Sequence, residues 1–272
     1  MTASQASMSI NQSSMTLGSH LRELRSRLVR SALAVLVTTV AVWANYSVVF
    51  AIVRKPFDEV ARKNPDVILA LTGVTSGFSL QLKVSVAAGI VIAAPVWTFQ
   101  VWRFVAPGLH SHERKWAYIF TAVAVPLFLS GVALAYSVMP RMLDVLYSFT
   151  PTDVSNVTNI DTYISFFLQL TLFFGVGFLL PLVLVMLNFA GVLPASKIWQ
   201  SWRWIILAAF VFGAIATPNG DPFGMTFVAI PMIALALIAL GVALLNDKRR
   251  ARRDATSGTN RWSDDEASTL ED

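Results

Sequence analysis

Six apolar runs separated by polar segments organise the chain: Ser31 to Val53, Val84 to Val101, Trp116 to Met139, Phe166 to Leu187, Trp204 to Thr217 and Phe227 to Leu245. None of the last five carries a charge. A backbone in hydrocarbon must satisfy its polar groups within its own segment, and about 20 apolar residues of helix cross a bilayer. The pattern therefore predicts an all-α integral membrane protein of six transmembrane helices. No segment shows the strict alternation of a membrane β-barrel.

Polar stretches at both ends mark the limits of that domain. Residues 1–18 and 246–272 read as disordered tails, and 19–245 as one membrane domain with spans at about 31–53, 84–101, 116–139, 166–187, 204–217 and 227–245. The first run is too long for a signal-peptide core and no small-residue cleavage site follows it, so it is expected to be retained. Basic residues then orient the chain. Fifteen of the 21 Lys and Arg fall on one side if the amino terminus is cytoplasmic, so both termini are expected in the cytoplasm. Lys83 is placed at the outer end of the second span, where its stem can snorkel.

Composition agrees with the pattern: 55% of the 272 residues are hydrophobic and 14% charged, with a mean hydropathy of +0.61. The formal charge of +5 resides at the ends of apolar runs, which points to membrane orientation and not to nucleic acid. Cysteine is absent, which excludes disulfides, thiolate nucleophiles and Cys-based metal sites.

The spans predict kinks and close approaches. Pro95, Pro126, Pro181 and Pro231 each remove a helical hydrogen bond and crowd the preceding turn. Ser85, Gly89 and Ala93, four apart, leave room for a neighbouring helix. Together they predict a curved bundle. The 14-residue fifth run reaches only about 21 Å, less than the roughly 30 Å hydrocarbon core, unless it extends through Ser201 and Pro218. Outer segments from Arg54 to Gly77, with a short helix after Pro56, and from Pro140 to Asp161 are long enough to cap one side.

Candidate chemistry is sparse. Leu21, Leu24 and Leu28 at i, i+3 and i+7 predict an amphipathic surface helix, with Ser19 as its N-cap. Glu23 and Arg27 at i, i+4 read as an exposed helix salt bridge. Glu23 and Glu113, the two acidic residues on the inner face before the tail, also read as carboxylates for guanidinium groups, each able to form a bidentate pair that lysine cannot copy. Both readings stand on spacing. No P-loop and no His-Glu-x-x-His are present, and the three histidines, His20, His110 and His112, offer no third metal ligand nearby. No catalytic residue, metal or cofactor is expected, so the chain reads as a non-enzyme. A small-solute secondary transporter is the alternative, although neither an inverted repeat nor midplane ionisable groups are evident.

Three separated stretches resemble the TatC family in the family's order: His20 to Leu28; Pro95 to Arg114, with Phe104, Pro107-Gly108-Leu109 and Glu113; and Thr217-Pro218 with Asp221-Pro222. The similarity runs from about Ser19 to Leu245. It implies a core subunit of the twin-arginine translocase in the bacterial inner membrane, exporting folded proteins on the proton-motive force. By resemblance, Glu23 and Glu113 bind the paired arginines of a signal peptide, with Arg25 and Phe104 beside them. Pro56, Lys83, Pro95, Pro107, Gly108 and Pro181 are structural positions. Single-span TatA and TatB proteins are the implied partners, at Gln169, Leu179, Thr217 and Asp221, together with self-association and membrane lipid. The chain departs from the family at Leu179, where a polar, commonly acidic, residue is usual; Gln169 is the candidate substitute or simply a helix-packing residue.

Overall fold

The computed structural model describes residues 17–64, 67–105, 113–151, 156–217 and 222–256. In chain order the elements are α1 (Leu17–Ala44), α2 (Tyr46–Ala61), β1 (Val67–Ala70), α3 (Ser76–Ile92), α4 (Ala94–Val105), α5 (Glu113–Tyr147), β2 (Asn156–Asn159), α6 (Ile160–Phe189), α7 (Ala195–Gln200), α8 (Trp202–Ala216) and α9 (Pro222–Thr256). Among the described residues four helices are long and apolar enough to cross a membrane, within α1, α5, α6 and α9; α3 and α4 form a fifth candidate as a pair bent by 57°. The chain is a multi-pass membrane protein. The fifth apolar run is the short helix α8, whose 15 residues rise about 22 Å.

Contacts divide the chain into two compact units, residues 1–49 with 81–125 and residues 50–80 with 126–272. In the first unit α1 is continuous from Leu17 through the amphipathic segment into the apolar run. The expected surface helix is therefore its first three turns, and Ser19 lies inside the helix instead of capping it. One unbroken helix is cheaper than two, because each new end leaves four backbone groups unsatisfied. The helix stops before the predicted end at Val53: Asn45 turns its side-chain amide back to donate to the Ala41 carbonyl at 3.0 Å, and α2 starts at Tyr46.

Gly89 sets the approach of α3 to α1. A Cβ there would come within 2.9 Å of the Thr39 backbone nitrogen, and the Thr38 hydroxyl donates to the Gly89 carbonyl at 2.8 Å. Association of helices in lipid depends on such small-residue contacts because burial of apolar surface adds little. Gly89→Ala is expected to lower stability by about 1–3 kcal/mol through overpacking, measured as a lower thermal midpoint in detergent. Pro95 accounts for the 57° bend: it has no N–H to continue the ladder and occupies the first turn of α4, where none is needed. Pro126, Pro181 and Pro231 sit within helices that continue past them.

The second unit joins the two outer segments. Strands β1 and β2 pair in parallel with Val67 opposite Asn156 and Ala70 opposite Asn159, so the all-helical expectation is corrected by one small ribbon. Four residues of alternating environment are too short to stand out beside helices in sequence. Around it Tyr163 donates to the Val53 carbonyl at 2.9 Å, Tyr147 shares a 2.9 Å hydrogen bond with Thr158, and Phe57 lies edge-on to both tyrosines. Pro56 and Phe57 are buried in α2. The Asn159 side chain accepts from the Asp161 backbone N–H at 2.8 Å and so caps α6.

Candidate functional site

Glu23 occupies the second turn of α1. Its Oε1 accepts from Nε of Arg27 at 3.1 Å and also from Nη2 of the same guanidinium, so the helix pair anticipated from the i, i+4 spacing is formed. The guanidinium side chain is only 11% exposed and the carboxylate side chain 30%. Both donors use one oxygen; Oε2 accepts no hydrogen bond from the described residues. The carboxylate is thus held in orientation by a buried cation while, among the described residues, its other oxygen is unbonded. On the same helix Arg25 is exposed.

Helix α4 packs on α1 and brings aromatic and polar groups to this unit. Trp102 is buried and stacked on Phe120, ring centres 5.5 Å apart; Phe99 lies 5.2 Å from Tyr118, and the Arg103 guanidinium sits 6.0 Å from the Phe99 ring. Phe104 is half-buried. On α1 and α4 two buried polar atoms have no hydrogen-bond partner among the described residues: Nη1 of Arg27, a donor, and Oε1 of Gln100, an acceptor. Orphaned buried groups cost about 1–3 kcal/mol each unless water, an ion or a ligand takes the bond. Reading the sequence for carboxylates passed over both, since nothing in spacing shows which hydrogen bonds go unmade. Glu113 is the first residue of α5, with its side chain outside the described residues, as are Pro107, Gly108 and Asp221. Lys83 is exposed on α3.

In the second unit two of the positions matched to partner subunits, Gln169 and Thr217, make hydrogen bonds within the chain. Gln169 donates to the Ile215 carbonyl at 3.1 Å, satisfying a carbonyl at the end of α8 that no helical N–H reaches; its helix-packing role is therefore the one seen. Thr217 is 2% exposed and its hydroxyl returns to the Gly213 carbonyl at 3.0 Å, so its side chain faces this chain's own interior. Leu179 is half-buried. Next to it, Leu180 and Pro181 help line an apolar recess of about 450 Å³ with Ile205, Phe212, Ile215 and Met232.

A polar cluster unseen in the sequence lies at the far end of α9. The Asp247 carboxylate accepts from Asn188 Nδ2 at 2.9 Å and from the Ala195 backbone N–H, the first of α7, at 2.7 Å. Asn188 is 1% exposed, gives its second amide hydrogen to the Leu193 carbonyl at 3.0 Å and accepts from Asn246 at 3.0 Å. The helix consequently runs to Thr256, and the disorder expected from Asn246 onward is corrected for its first eleven residues. The available signal was the one acid, Asp247, at the head of a basic run.

Comparison with known proteins agrees with this architecture. The family model described as Sec-independent protein translocase protein (TatC) matches residues 19–231. The chain is 40% identical over 242 residues to the Sec-independent protein translocase protein TatC of Xylanimonas cellulosilytica, covering 89% of this chain and 88% of that one. It is 34% identical over 239 residues to the Aquifex aeolicus protein of the same name, covering 87% and 98%. Among solved structures, the crystal structure of a twin-arginine translocase receptor, TatC, superposes with a TM-score of 0.74 at 34% identity, covering 84% of this chain and 99% of that one. The chain belongs to the TatC family of Sec-independent protein translocase proteins.

Proposed function

We propose that this protein is the receptor subunit of a twin-arginine translocase, binding the paired arginines of signal peptides through Glu23 and Glu113 with Arg25 and Phe104 alongside. The observation that carries the reading is the Glu23 carboxylate, pinned through one oxygen by Arg27 and open at the other. An incoming guanidinium takes the open oxygen in a charge-assisted pair, and its planar fork extends to the shared oxygen, which an ammonium cannot do. The orphaned Arg27 Nη1 and Gln100 Oε1 add a donor and an acceptor to the same unit.

In this reading six spans put both termini in the cytoplasm of a bacterial inner membrane, and the chain carries no catalytic step. TatA and TatB single-span helices pack beside α8 and α9, where the apolar recess lies, and folded cargo crosses on the proton-motive force. The test is photocrosslinking of a twin-arginine peptide to membranes holding the protein. Glu23→Ala combined with Glu113→Ala is expected to reduce the adduct by roughly tenfold or more, the equivalent of about 1.4 kcal/mol, with insertion unchanged. An undiminished adduct in the double variant overturns the assignment.

A further inference from the structure

The carboxyl-terminal extension of α9 is a docked helix with two unlike faces. Leu240, Ala243, Asn246, Asp247 and Arg250 lie on one side at 3.6 residues per turn. That side is fixed: Leu240 and Ala243 form a core with Ala195 and Ile198, Asp247 holds Asn188 and the start of α7, and the Arg250 guanidinium lies over Gly191, where a Cβ would meet its Nη1 at 2.7 Å. Gly191 also has φ of +78°, a conformation side chains resist.

Lys248, Arg249, Arg252 and Arg253 fall within an arc of about 140° on the opposite side, and all are exposed. Upstream, the same arc holds Ile238, Val242 and Leu245, which are 63%, 36% and 60% exposed. A single stripe thus passes from apolar side chains to cations within one turn, where the long apolar run of α9 ends.

We propose that this stripe is a binding site for an anionic phospholipid, its acyl chains along Ile238, Val242 and Leu245 and its phosphate between Lys248, Arg249 and Arg252. Charge complementarity and the unbroken apolar-to-basic order select a lipid over a soluble anion, which would need no apolar approach. Clustered cations at the membrane surface attract anionic headgroups, and the attraction adds with each cation. Docking of the other face makes this a shaped site: Asp247 and Arg250 tie the helix that carries the cations to the rest of the unit.

The test uses the full chain purified in neutral detergent, titrated with phosphatidylglycerol or phosphatidylcholine, with the thermal midpoint and the lipids retained in native mass spectrometry as readouts. Ligand that binds only the folded state raises the midpoint. Phosphatidylglycerol is expected to raise it and to remain bound, phosphatidylcholine to do neither, and the combined Lys248→Gln, Arg249→Gln, Arg252→Gln and Arg253→Gln variant to lose both effects. Equal responses in wild type and variant, or to the two lipids, overturn the proposal. So does a response to phosphatidylglycerol that appears only after removal of residues 257–272, which would make the acidic residues of that segment the occupant. Glycerol phosphate without acyl chains is expected to have no effect; an equal rise would assign the site to a soluble anion.

Discussion

Gly131→Val is expected to lower the stability of the second unit by about 3 kcal/mol, at the upper end of the cost of overpacking. A Cβ on Gly131 would come within 2.9 Å of the Phe174 carbonyl carbon and 3.0 Å of the Phe178 ring. The first of these is backbone, which cannot rotate away. On the facing helix, a Cβ on Gly175 would meet the Phe128 ring at 2.5 Å, and both Phe128 and Phe174 are almost completely buried. The helices α5 and α6 therefore interlock by glycine against aromatic ring in both directions. A soluble protein could offset a displaced helix by burying apolar surface elsewhere, but in lipid the displaced surface meets hydrocarbon of equal polarity and only the lost packing counts. Thermal unfolding in detergent, followed by retained monodisperse protein, measures the effect. Gly241→Ala is the control, since nothing lies within 4 Å of a Cβ at that position; a midpoint for Gly131→Val equal to that control would refute the interlock.

Asp247→Ala should cost about 2–3 kcal/mol, the range for hydrogen bonds to a charged acceptor together with the donors left behind. Two donors lose their acceptor at once, the Asn188 amide and the first N–H of α7. The Asn188 side chain is buried, so water does not readily replace the carboxylate. Asp247→Asn keeps an acceptor oxygen and is expected to cost less. Trypsin gives a second readout: the basic run Lys248–Arg253 is cleavable only when its helix opens, so release of the carboxyl-terminal fragment should accelerate in Asp247→Ala and change little in Asp247→Asn. An alanine variant cleaved at the wild-type rate would show that the extension is held by Leu240 and Ala243 alone.

Legibility from sequence varied with the range of the interaction. The Glu23–Arg27 pair was readable because four residues along a helix is a distance the chain itself sets. Pro95 as a bend was readable for the same reason, since the proline ring acts on its own preceding turn. Gly89 was readable as a close approach, but not the identity of Thr38 and Thr39 as its neighbours. Gln169 was ambiguous between partner contact and packing, because only the fold brings the Ile215 carbonyl to it from 46 residues away. That Thr217 is buried within the chain was not readable either: nothing local to it tells which side of α8 the chain covers.

The order of residues is enough to show that apolar runs become membrane helices, because hydrocarbon forces each segment to satisfy its own backbone. It also determined the family, through motifs spread across the chain. Only long-range contacts show that Val67–Ala70 pairs with Asn156–Asn159, and that the last helix continues to Thr256 with Asp247 reaching Asn188 and Ala195. These depend on groups far apart in the chain meeting within hydrogen-bond distance, and no periodicity within a single segment records such a meeting.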